Sequence, residues 1–415
     1  MTDFPRTNWS SSYRYSFRDC LYPTSVDELL TQVAVAKNVK VVGSRHSFNG
    51  IVDGDVALST AHMPLALDIS SDRRQVSISG YATYGDLARF LVPHSLAVHN
   101  LASLPHISIA GAIATATHGS GRRNGNLATA IAALQFATAD GSLVELKRGD
   151  ADFDGAVVHL GALGVVTRVT LDVQPAFDIS QTVYEGLGWR EMLANIDAIT
   201  GAGYSVSIFT NWRDPAQIWL KDLADRQAPD EIFGARRATL KRHPLLGVDP
   251  QNATEQMGVA GSWAQRLPHF KMEFTPSAGD EIQSEYHVPI EHAAGAIEAL
   301  ASVRDQFAHL VQVTEFRTVA ADGLWLSPQY QRDTLSIHFT WVLKSAEVDE
   351  GARVLEAALA PFSALPHWGK VFTPENVGAH YPRMADFARL RDKMDPSRKF
   401  SNAWLEQVVF GRPAS

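Results

Sequence analysis

The sequence predicts an α+β protein of two domains. The chain has 415 residues, which is long for one hydrophobic core and suits two. Its first third has the pattern of short strands mixed with short helices. Beyond about residue 175 the strands and helices become longer, and Trp and Pro become more frequent. We therefore expect a domain boundary near residue 175.

The composition excludes several classes of protein. The chain is 45% hydrophobic and 20% charged, which is an ordinary globular balance. Its net charge of -8 is scattered and has no basic block, so neither nucleic acid nor an anionic membrane is an expected partner. Cys20 is the single cysteine, which excludes an intramolecular disulfide and a cysteine metal cluster, and we expect no metal site. Residues 1–12 lack the apolar core of a signal peptide, and no apolar run approaches the roughly 20 residues that span a bilayer, so we expect a cytoplasmic protein.

The elements of the first third follow from periodicity and from turn residues. Ser25, with Glu28 three residues later, marks the start of a helix. Residues 84–91 have the pattern of a helix that buries Leu87 and Leu91. Strands are predicted at residues 39–42, 75–79, 135–138, 143–146 and, after a glycine turn, up to residue 171, with an Asp-Gly turn joining the third and fourth as a hairpin.

Two Gly/Ser clusters that each contain a histidine are candidates for binding phosphate. The first is Gly-Ser-Arg-His-Ser-Phe at residues 43–48, directly after a β-branched run. Such a turn leaves backbone N–H groups unpaired, and these can bind an anion. The second cluster is Thr-Ala-Thr-His-Gly-Ser-Gly at residues 115–121. A histidine in such a loop is often just a surface residue, but two clusters separated by strand-rich sequence suggest one dinucleotide bound from two sides.

The second cluster superficially resembles a nicotinamide dinucleotide fingerprint, since Asp140 follows Gly119 and Gly121 by some 20 residues. Asn124 stands in place of the third glycine, no strand leads directly into the cluster, and no amphipathic helix follows it. Asp140 also belongs to a hairpin turn. We therefore reject a Rossmann fold.

Two segments of the second domain alternate polar and apolar residues with the period of a strand. They are residues 313–319 and 335–343. The polar face carries Glu315 and Arg317 in the first segment and Ser336, His338 and Thr340 in the second. Each pattern also fits a solvated sheet face or a surface ion pair. If the two strands are neighbours, they build a wall that can hydrogen-bond several hydroxyls and hold a base near them.

Three other segments are predicted to be a loop, a site lysine and a structural tail. Residues 213–261 are rich in proline and charge, and we predict a loop or mobile excursion there. Lys370 lies among aromatic residues, either as a lysine that snorkels to the surface or as a cation that meets developing negative charge. Residues 395–402 are predicted to end a helix and to dock as a structural tail.

Together, these motifs resemble the vanillyl-alcohol-oxidase-type FAD flavoproteins, and among these the alditol (xylitol) oxidases, which are close relatives of the sugar-lactone oxidases. The motifs lie at residues 43–48, 103–111, 117–121, 315–322, 338–341 and 367–370, in the expected order over nearly the whole chain. One departure is Arg45, where many members carry glycine. A positive φ is less comfortable for arginine, and the side chain could touch the cofactor or its phosphates.

The resemblance implies a PCMH-type FAD-binding domain at residues 1–175, completed by a C-terminal tail at 373–415. Residues 176–372 would form a substrate domain with a large antiparallel sheet and flanking helices. It also implies one FAD per chain, bonded covalently through His46 to the flavin 8α-methyl carbon, which makes the flavin a stronger oxidant. The implied cofactor-binding residues are Gly43, Ser44, Arg45, His46, Ser47, Phe48, Ser103, Ser108, Gly111, Thr115, Thr117, His118, Gly119, Ser120, Gly164 and Val166.

The implied activity is oxidation of a primary alcohol of an acyclic alditol, such as xylitol or sorbitol, to the aldose. His338 would take the hydroxyl proton while the carbon delivers hydride to flavin N5, and Lys370 would stabilise negative charge at the N1/C2 side. O2 would then reoxidise the flavin and give hydrogen peroxide. The implied catalytic residues are His338, Lys370 and Arg317, and the implied substrate-binding residues are Ser103, Glu315, Arg317, Thr340 and Lys370.

Two alternatives remain open at this point. One is a sugar-1,4-lactone oxidase or dehydrogenase of the same family. The other is a flavin-binding carrier without turnover, against which His338 and Lys370 argue, since neither is needed to bind flavin. We expect a monomer whose partners are a small polyol and O2.

Overall fold

The computed structural model describes residues 6–273, 280–373 and 376–412. Residues 1–5 of the predicted polar N-terminus, and residues 374–375 and 413–415 of the predicted C-terminal tail, lie outside the described residues. The strands are β1 (Asp19–Leu21), β2 (Lys40–Val41), β3 (Val56–Leu58), β4 (Leu67–Ile69), β5 (Gln75–Ser79), β6 (Leu96–Ala97), β7 (Ile131–Ala137), β8 (Leu143–Lys147), β9 (Val165–Asp172), β10 (Gln174–Pro175), β11 (Asp178–Leu187), β12 (Ser205–Thr210), β13 (Ala216–Leu223), β14 (Glu231–Ile232), β15 (Ala235–Arg237), β16 (Gly261–Ser262), β17 (Glu281–Pro289), β18 (Val311–Val319), β19 (Thr334–Val342) and β20 (Leu365–Pro366).

The helices are α1 (Val26–Val35), α2 (Tyr84–Leu91), α3 (Ile109–Ala114), α4 (Phe153–Val157), α5 (Trp189–Thr200), α6 (Trp263–Arg266), α7 (Ala293–Ser302), α8 (Ser345–Leu359) and α9 (Met384–Met394). Within the described ranges, none of them is long and apolar enough to cross a membrane.

Three small sheets come from the first part of the chain. The parallel sheet has the order β1–β3–β2, the antiparallel sheet has the order β4–β5–β9–β7–β8, and β6 pairs with β10. The predicted hairpin is confirmed, because Ala137 of β7 pairs with Leu143 of β8. The strand predicted over residues 39–42 is shorter than expected, since only β2 forms, although Val39 and Val42 are buried.

The two helix predictions in this part are confirmed. The Ser25 hydroxyl accepts the N–H of Glu28 at the start of α1. Helix α2 has the predicted bounds, and a reciprocal cap between Thr83 and Asp86 fixes its first turn. Leu87 and Leu91 are fully buried, as the periodicity predicts.

A large antiparallel sheet spans the rest of the chain. Its ten strands have the order β14–β15–β11–β13–β12–β18–β19–β17–β20, with β16 paired to β11. One face packs against helices α5, α7 and α8 in a single hydrophobic cluster. Ile337, Phe339 and Trp341 of β19 point into that cluster and are 0% exposed. Since side chains alternate along a strand, the polar residues of β19 lie on the opposite face.

The loop predicted for residues 213–261 is wrong over β13. This strand lies between β11 and β12, and both Ile218 and Trp219 are fully buried. Both faces of β13 are covered, so Gln217 and Lys221 are buried as well, and the polar residues that suggested a loop are interior ones. Beyond β13 the segment forms just three short strands, β14, β15 and β16.

The C-terminal segment docks onto the first part of the chain, as predicted. Helix α9 ends at Met394, and the carboxylate of the next residue, Asp395, accepts the backbone N–H groups of Lys399 and Phe400. The Lys399 ammonium then donates to the carbonyl of Ala139, and the Asn402 amide donates to that of Gly50. The domain boundaries drawn from the sequence stay predictions.

Candidate active site

A cavity of about 510 Å³ lies between the polar face of the large sheet and the Gly/Ser turn at residues 43–48. This volume is typical of a site for a small molecule or cofactor. The predicted site residues that line it are Gly43, Ser44, Arg45, His46, Ser47, Phe48, Ser103, Ser108, Gly111, Thr115, Thr117, His118, Gly164, Val166, Glu315, Arg317, His338, Thr340 and Lys370.

Gly119 and Ser120, unlike the other predicted site residues, do not line the cavity, and their cofactor contacts stay predictions. The chain turns into the interior after His118. A Cβ at Gly119 would overlap the Asn100 amide, and the Ser120 hydroxyl donates to the carbonyl of Val206. Both residues therefore serve the packing of the chain behind the cavity.

The turn at residues 43–48 has the features of an anion-binding loop. Within the described residues, the backbone N–H groups from 43 to 47 donate to no acceptor. A Cβ at Gly43 would overlap the hydroxyl of Ser108, while Ser44 Oγ accepts the N–H of Ser108 at 3.0 Å, so the turn requires glycine for this close approach. The donors left free can bind a diphosphate.

Arg45 adopts the left-handed conformation, with φ of +61°. An L-residue with a side chain rarely takes this region, which explains why glycine is common there in the family that the sequence resembles. The Arg45 guanidinium donates to the carbonyl of Thr7 at 3.0 Å. This bond ties the turn to the N-terminal segment.

His46 lies in the cavity wall, and one of its ring nitrogens is left without a hydrogen-bond partner among the described residues. Its ring stacks on Trp9, with the centroids 5.2 Å apart, and its Nδ1 is buried without a hydrogen-bond partner in the described structure. Burial, assisted by the charge of Lys370, lowers the pKa of His46 to about 4. The imidazole is therefore neutral at pH 7.

The wall predicted from the two alternating segments is present. Strands β18 and β19 are neighbours, with Glu315 opposite His338 and Arg317 opposite Ser336. Glu315 is 4% exposed, Arg317 6% and His338 9%. The face is thus buried around the cavity, which excludes the alternatives of a solvated sheet face and a surface ion pair.

Arg317 is fixed between two carboxylates. Its Nη2 lies 3.2 Å from Glu285 Oε1 and its Nε 3.5 Å from Glu315 Oε2, and its Nη1 donates to the hydroxyl of Ser103 at 3.4 Å. Burial raises the pKa of Glu315, but the charges of Arg317 and His269 outweigh it and hold that pKa far below its usual value. Glu315 is an anion throughout the physiological range.

His269 and Lys221 support Glu315 from behind, and the sequence analysis missed both. His269 Nε2 lies 2.8 Å from Glu315 Oε1, and its Nδ1 lies 3.2 Å from the Lys221 ammonium. Burial lowers the pKa of Lys221 to about 7 and that of His269 to about 4. Lys221 lies in the segment taken for a loop, and His269 lies on irregular chain without a periodic signal.

Glu285 was missed as well, although the sequence holds a signal for it. Gln283, Glu285 and His287 alternate along β17 with the same period as the polar residues of β19. The Glu285 side chain is 2% exposed, and Oε1 accepts from His118 Nε2 at 2.9 Å, from Arg317 and from the hydroxyl of Ser336. Burial raises its pKa, but His118, His338 and Arg317 hold that pKa well below its usual value.

His338 and Lys370 both face the cavity. The ring of His338 makes no hydrogen bond with any described residue, and burial lowers its pKa to about 3, so it is a neutral base. The Lys370 ammonium donates to Gln283 and lies 5.2 Å from the ring centroid of Phe48. It therefore points inward rather than snorkelling, and burial lowers its pKa.

The donor set fits a flavin dinucleotide. The turn at residues 43–48 supplies free N–H groups, His46 supplies an unpaired ring nitrogen, and Lys370 supplies a part-buried cation. Across the described ranges, no three His, Cys, Asp or Glu side chains are grouped to hold a metal ion.

Comparisons with known proteins agree with this geometry. A family model described as an FAD binding domain matches residues 20–147, and the model of D-arabinono-1,4-lactone oxidase matches residues 277–408. The alditol oxidase of a Streptomyces species is 45% identical over 98% of this chain and 99% of that protein. The L-gulono-1,4-lactone dehydrogenase of Mycobacterium tuberculosis is 28% identical over 97% and 98%.

The crystal structure of cholesterol oxidase from Brevibacterium sterolicum superposes with a TM-score of 0.79 over 99% of each chain. At 14% identity this likeness bears on the fold. It confirms the predicted α+β class, with an FAD-binding part and a large antiparallel sheet with flanking helices.

Proposed function

The chain belongs to the alditol oxidase family of vanillyl-alcohol-oxidase-type FAD flavoproteins, and from that premise we propose its reaction. The protein oxidises the primary alcohol of a small acyclic alditol, such as xylitol or sorbitol, to the aldose. The observation that carries the proposal is the buried row of Glu315, His338 and Glu285, which faces the cavity beside Arg317. This row offers acceptors, a donor and a neutral base at neighbouring positions.

The substrate hydroxyls are held by side chains of both polarities. Glu315 accepts hydrogen bonds, Arg317 donates them, and the hydroxyls of Ser103 and Thr340 can do either. A buried hydroxyl without a partner costs about 1–3 kcal/mol, so an extended polyol needs such a mixed wall. Ser103 is already in contact with Arg317, which places these two groups at one point of the cavity.

FAD, when bound, accepts the hydride of the alcohol carbon and passes both electrons to O2, which leaves as hydrogen peroxide with two protons. The turn at residues 43–48 holds its diphosphate through backbone N–H groups. His46 attaches it covalently, one FAD per chain. The unpaired Nδ1 and the neutral state of the His46 imidazole support this attachment, since a nucleophile needs a free lone pair.

His338 takes the proton of the substrate hydroxyl. Its ring is neutral and unbonded at the cavity wall, which are the two conditions for a general base. Lys370 stabilises the negative charge that develops on the oxidant. Gln283 holds its ammonium in the cavity, and a fixed cation at a buried site loses little energy to reorganisation.

A sugar-1,4-lactone is the second candidate substrate. The match of residues 277–408 to the D-arabinono-1,4-lactone oxidase model favours it. A carrier without turnover would have no use for His338 and Lys370 in the cavity, and we do not retain that alternative. The monomeric state and the cytoplasmic location stay predictions.

The test is the flavin spectrum of the purified protein mixed anaerobically with xylitol, sorbitol or L-gulono-1,4-lactone. We expect the two alditols to bleach the flavin and admission of O2 to restore it, with one hydrogen peroxide formed per aldose. The His338→Ala variant, under the same conditions, is the matched control and should bleach far more slowly. A spectrum that every alditol leaves unchanged, or faster bleaching by the lactone, would overturn the substrate assignment.

A further inference from the structure

We propose that Glu285 is the positioning residue that supplies the counter-charge for the proton taken up by His338. This inference rests on the proposed function and adds to it a residue on a third strand. Glu285 is on β17, whereas His338 is on β19 and Glu315 and Arg317 are on β18.

The register of the sheet places Glu285 beside the base. His338 is directly opposite Glu285 on one side and directly opposite Glu315 on the other. Side chains directly opposite in an antiparallel pair have Cβ atoms about 4.5–5.5 Å apart. The base is therefore flanked by two carboxylates in one row across three strands.

The carboxylates of Glu315 and Glu285 differ in their hydrogen-bond partners and in the side from which these partners bind. Glu315 is paired with His269 and faces the part of the cavity where hydroxyls bind. Glu285 is bound from behind, since Oε1 accepts from His118, Arg317 and Ser336 at once. A carboxylate with three donors on one oxygen has a fixed orientation, so its charge is preorganised.

The charge balance of the row explains why a second carboxylate is needed. Arg317 and Lys370 are cations at the cavity wall, and His118 donates to Glu285. In the reaction the substrate O–H bond breaks and an N–H bond forms on His338, while the C–H electron pair leaves as hydride to FAD. A third positive charge then appears beside Arg317 and Lys370. Without Glu285, the His338 base would lose the carboxylate directly opposite it on β17, and Glu315 would be the one carboxylate directly opposite it in the row.

Two substitutions separate the charge of Glu285 from its shape. Glu285→Gln keeps the length and removes the charge, whereas Glu285→Asp keeps the charge and shortens the side chain. In stopped-flow mixing with xylitol we expect Glu285→Gln to lower the limiting rate of flavin reduction about 10²-fold, within the range for loss of general-base function. The dissociation constant of xylitol should change less than about threefold, because Arg317 keeps its contacts with Glu315 and Ser103. Glu285→Asp should stay within about tenfold of the wild-type rate.

The solvent isotope effect gives a readout that a merely structural role would not move. A weaker base makes proton transfer more rate-limiting, so the effect of D2O on the limiting rate should be larger in Glu285→Gln than in the wild type. Glu356→Gln is the matched control. Glu356 is a part-buried carboxylate that accepts a hydrogen bond from the hydroxyl of Tyr286, on the opposite face of β17. Its loss should leave the reduction rate within about threefold.

Several results would overturn the inference. The first is a limiting rate of flavin reduction in Glu285→Gln close to that of the wild type. The second is weaker xylitol binding in Glu285→Gln with an unchanged limiting rate. The third is slower flavin reduction in Glu285→Asp than in Glu285→Gln. If Glu285→Gln does not retain flavin, the test uses Glu285→Asp instead. A limiting rate of flavin reduction more than about 10²-fold below the wild type in flavin-loaded Glu285→Asp would then refute the inference. If the lactone reduces the wild-type flavin and alditols do not, the substrate assignment fails. The reduction rates of the Glu285 variants are then compared with the lactone as substrate, because its CH–OH group loses a proton too. Reduction by neither substrate overturns both proposals.

Discussion

Replacing Glu315 by Gln removes one negative charge from the cavity wall. We propose that this wall hydrogen-bonds the hydroxyls of the polyol chain. The Glu315 carboxylate is 4% exposed, and it lies 2.8 Å from His269 Nε2 and 3.5 Å from Arg317 Nε. In Glu315→Gln the side chain keeps its length, but its anionic acceptor is lost. The amide turns a donor toward one of those partners or toward the substrate.

The expected magnitude follows from the value of a hydrogen bond to a charged group, about 1.5–3 kcal/mol. At about 1.4 kcal/mol for each factor of ten, this is a loss of roughly 10- to 150-fold in kcat/KM. The loss should appear for alditols of five and six carbons, which reach Glu315. Propane-1,2-diol is too short to use the contact and should lose less than about threefold. Arg317→Lys, which removes the planar fork of donors, should follow the same dependence on chain length.

The assay is kcat/KM for peroxide formation across propane-1,2-diol, glycerol, xylitol and sorbitol, with the thermal midpoint and the flavin content of each variant as folding controls. Glu356→Gln serves again as the variant that loses a carboxylate outside the cavity. A uniform loss at every chain length would assign Glu315 a structural role and refute the reasoning. A wild-type preference for a sugar lactone over every alditol would refute the substrate class itself.

Three further predictions concern the cofactor, the chemistry and the stability. Acid precipitation should leave the wild-type pellet yellow, whereas His46→Ala should release its flavin, and complete release from the wild type would contradict covalent attachment. His338→Ala and Lys370→Ala should bind flavin and lower its anaerobic reduction rate by about 10²–10⁴-fold and about 10²–10³-fold, as stopped-flow mixing would measure, and near-normal rates in both would contradict their roles. Burial lowers the pKa of Lys221 from 10.5 to about 7, so between these values the unfolded chain holds a proton that the folded chain lacks. The free energy of unfolding of the wild type, relative to Lys221→Met, should therefore rise with pH across that window in urea titrations, and a flat difference would contradict it.

Local signals were sufficient where an element is specified by its own residues. Helix α2 combines a reciprocal cap with two apolar positions four residues apart, and its predicted bounds are those of the structure. Strand β5 likewise has its predicted bounds, and β19 has its predicted faces. In each case the pattern repeats within a few residues, so no tertiary knowledge is needed.

The site could be predicted in part, because two of its strands carry chemistry in an alternating pattern. Glu315, Arg317 and His338 were found in this way, and the structure brings them together. The same period is present on β17, where it carries Glu285. Nothing in the sequence could have paired Glu285 with His118, which lies 167 positions earlier in the chain.

Burial on both faces explains the other failures. In β13 the polar residues are interior, so the alternation that marks a half-exposed strand is absent. The sequence therefore predicted neither the strand nor Lys221 as a residue beside the site. Gly119 and Ser120 have the composition of a phosphate loop, but their neighbours in space are Asn100 and Val206. Composition identifies the kind of turn, and only tertiary packing decides which side of it faces a ligand.

The charges of the wall bear on the choice between an alditol and a lactone. A carboxylate can only accept a hydrogen bond, and three glutamates line the cavity, Glu281, Glu285 and Glu315. A polyol hydroxyl can donate to a carboxylate and still accept from Arg317. The carbonyl of a lactone can only accept, so against this wall it would compete with the carboxylates for the donors of Arg317 and Lys370. The ring also leaves fewer hydroxyls to satisfy Glu315. An acceptor-rich wall beside one forked donor thus suits a chain of free hydroxyls better than a ring with a carbonyl.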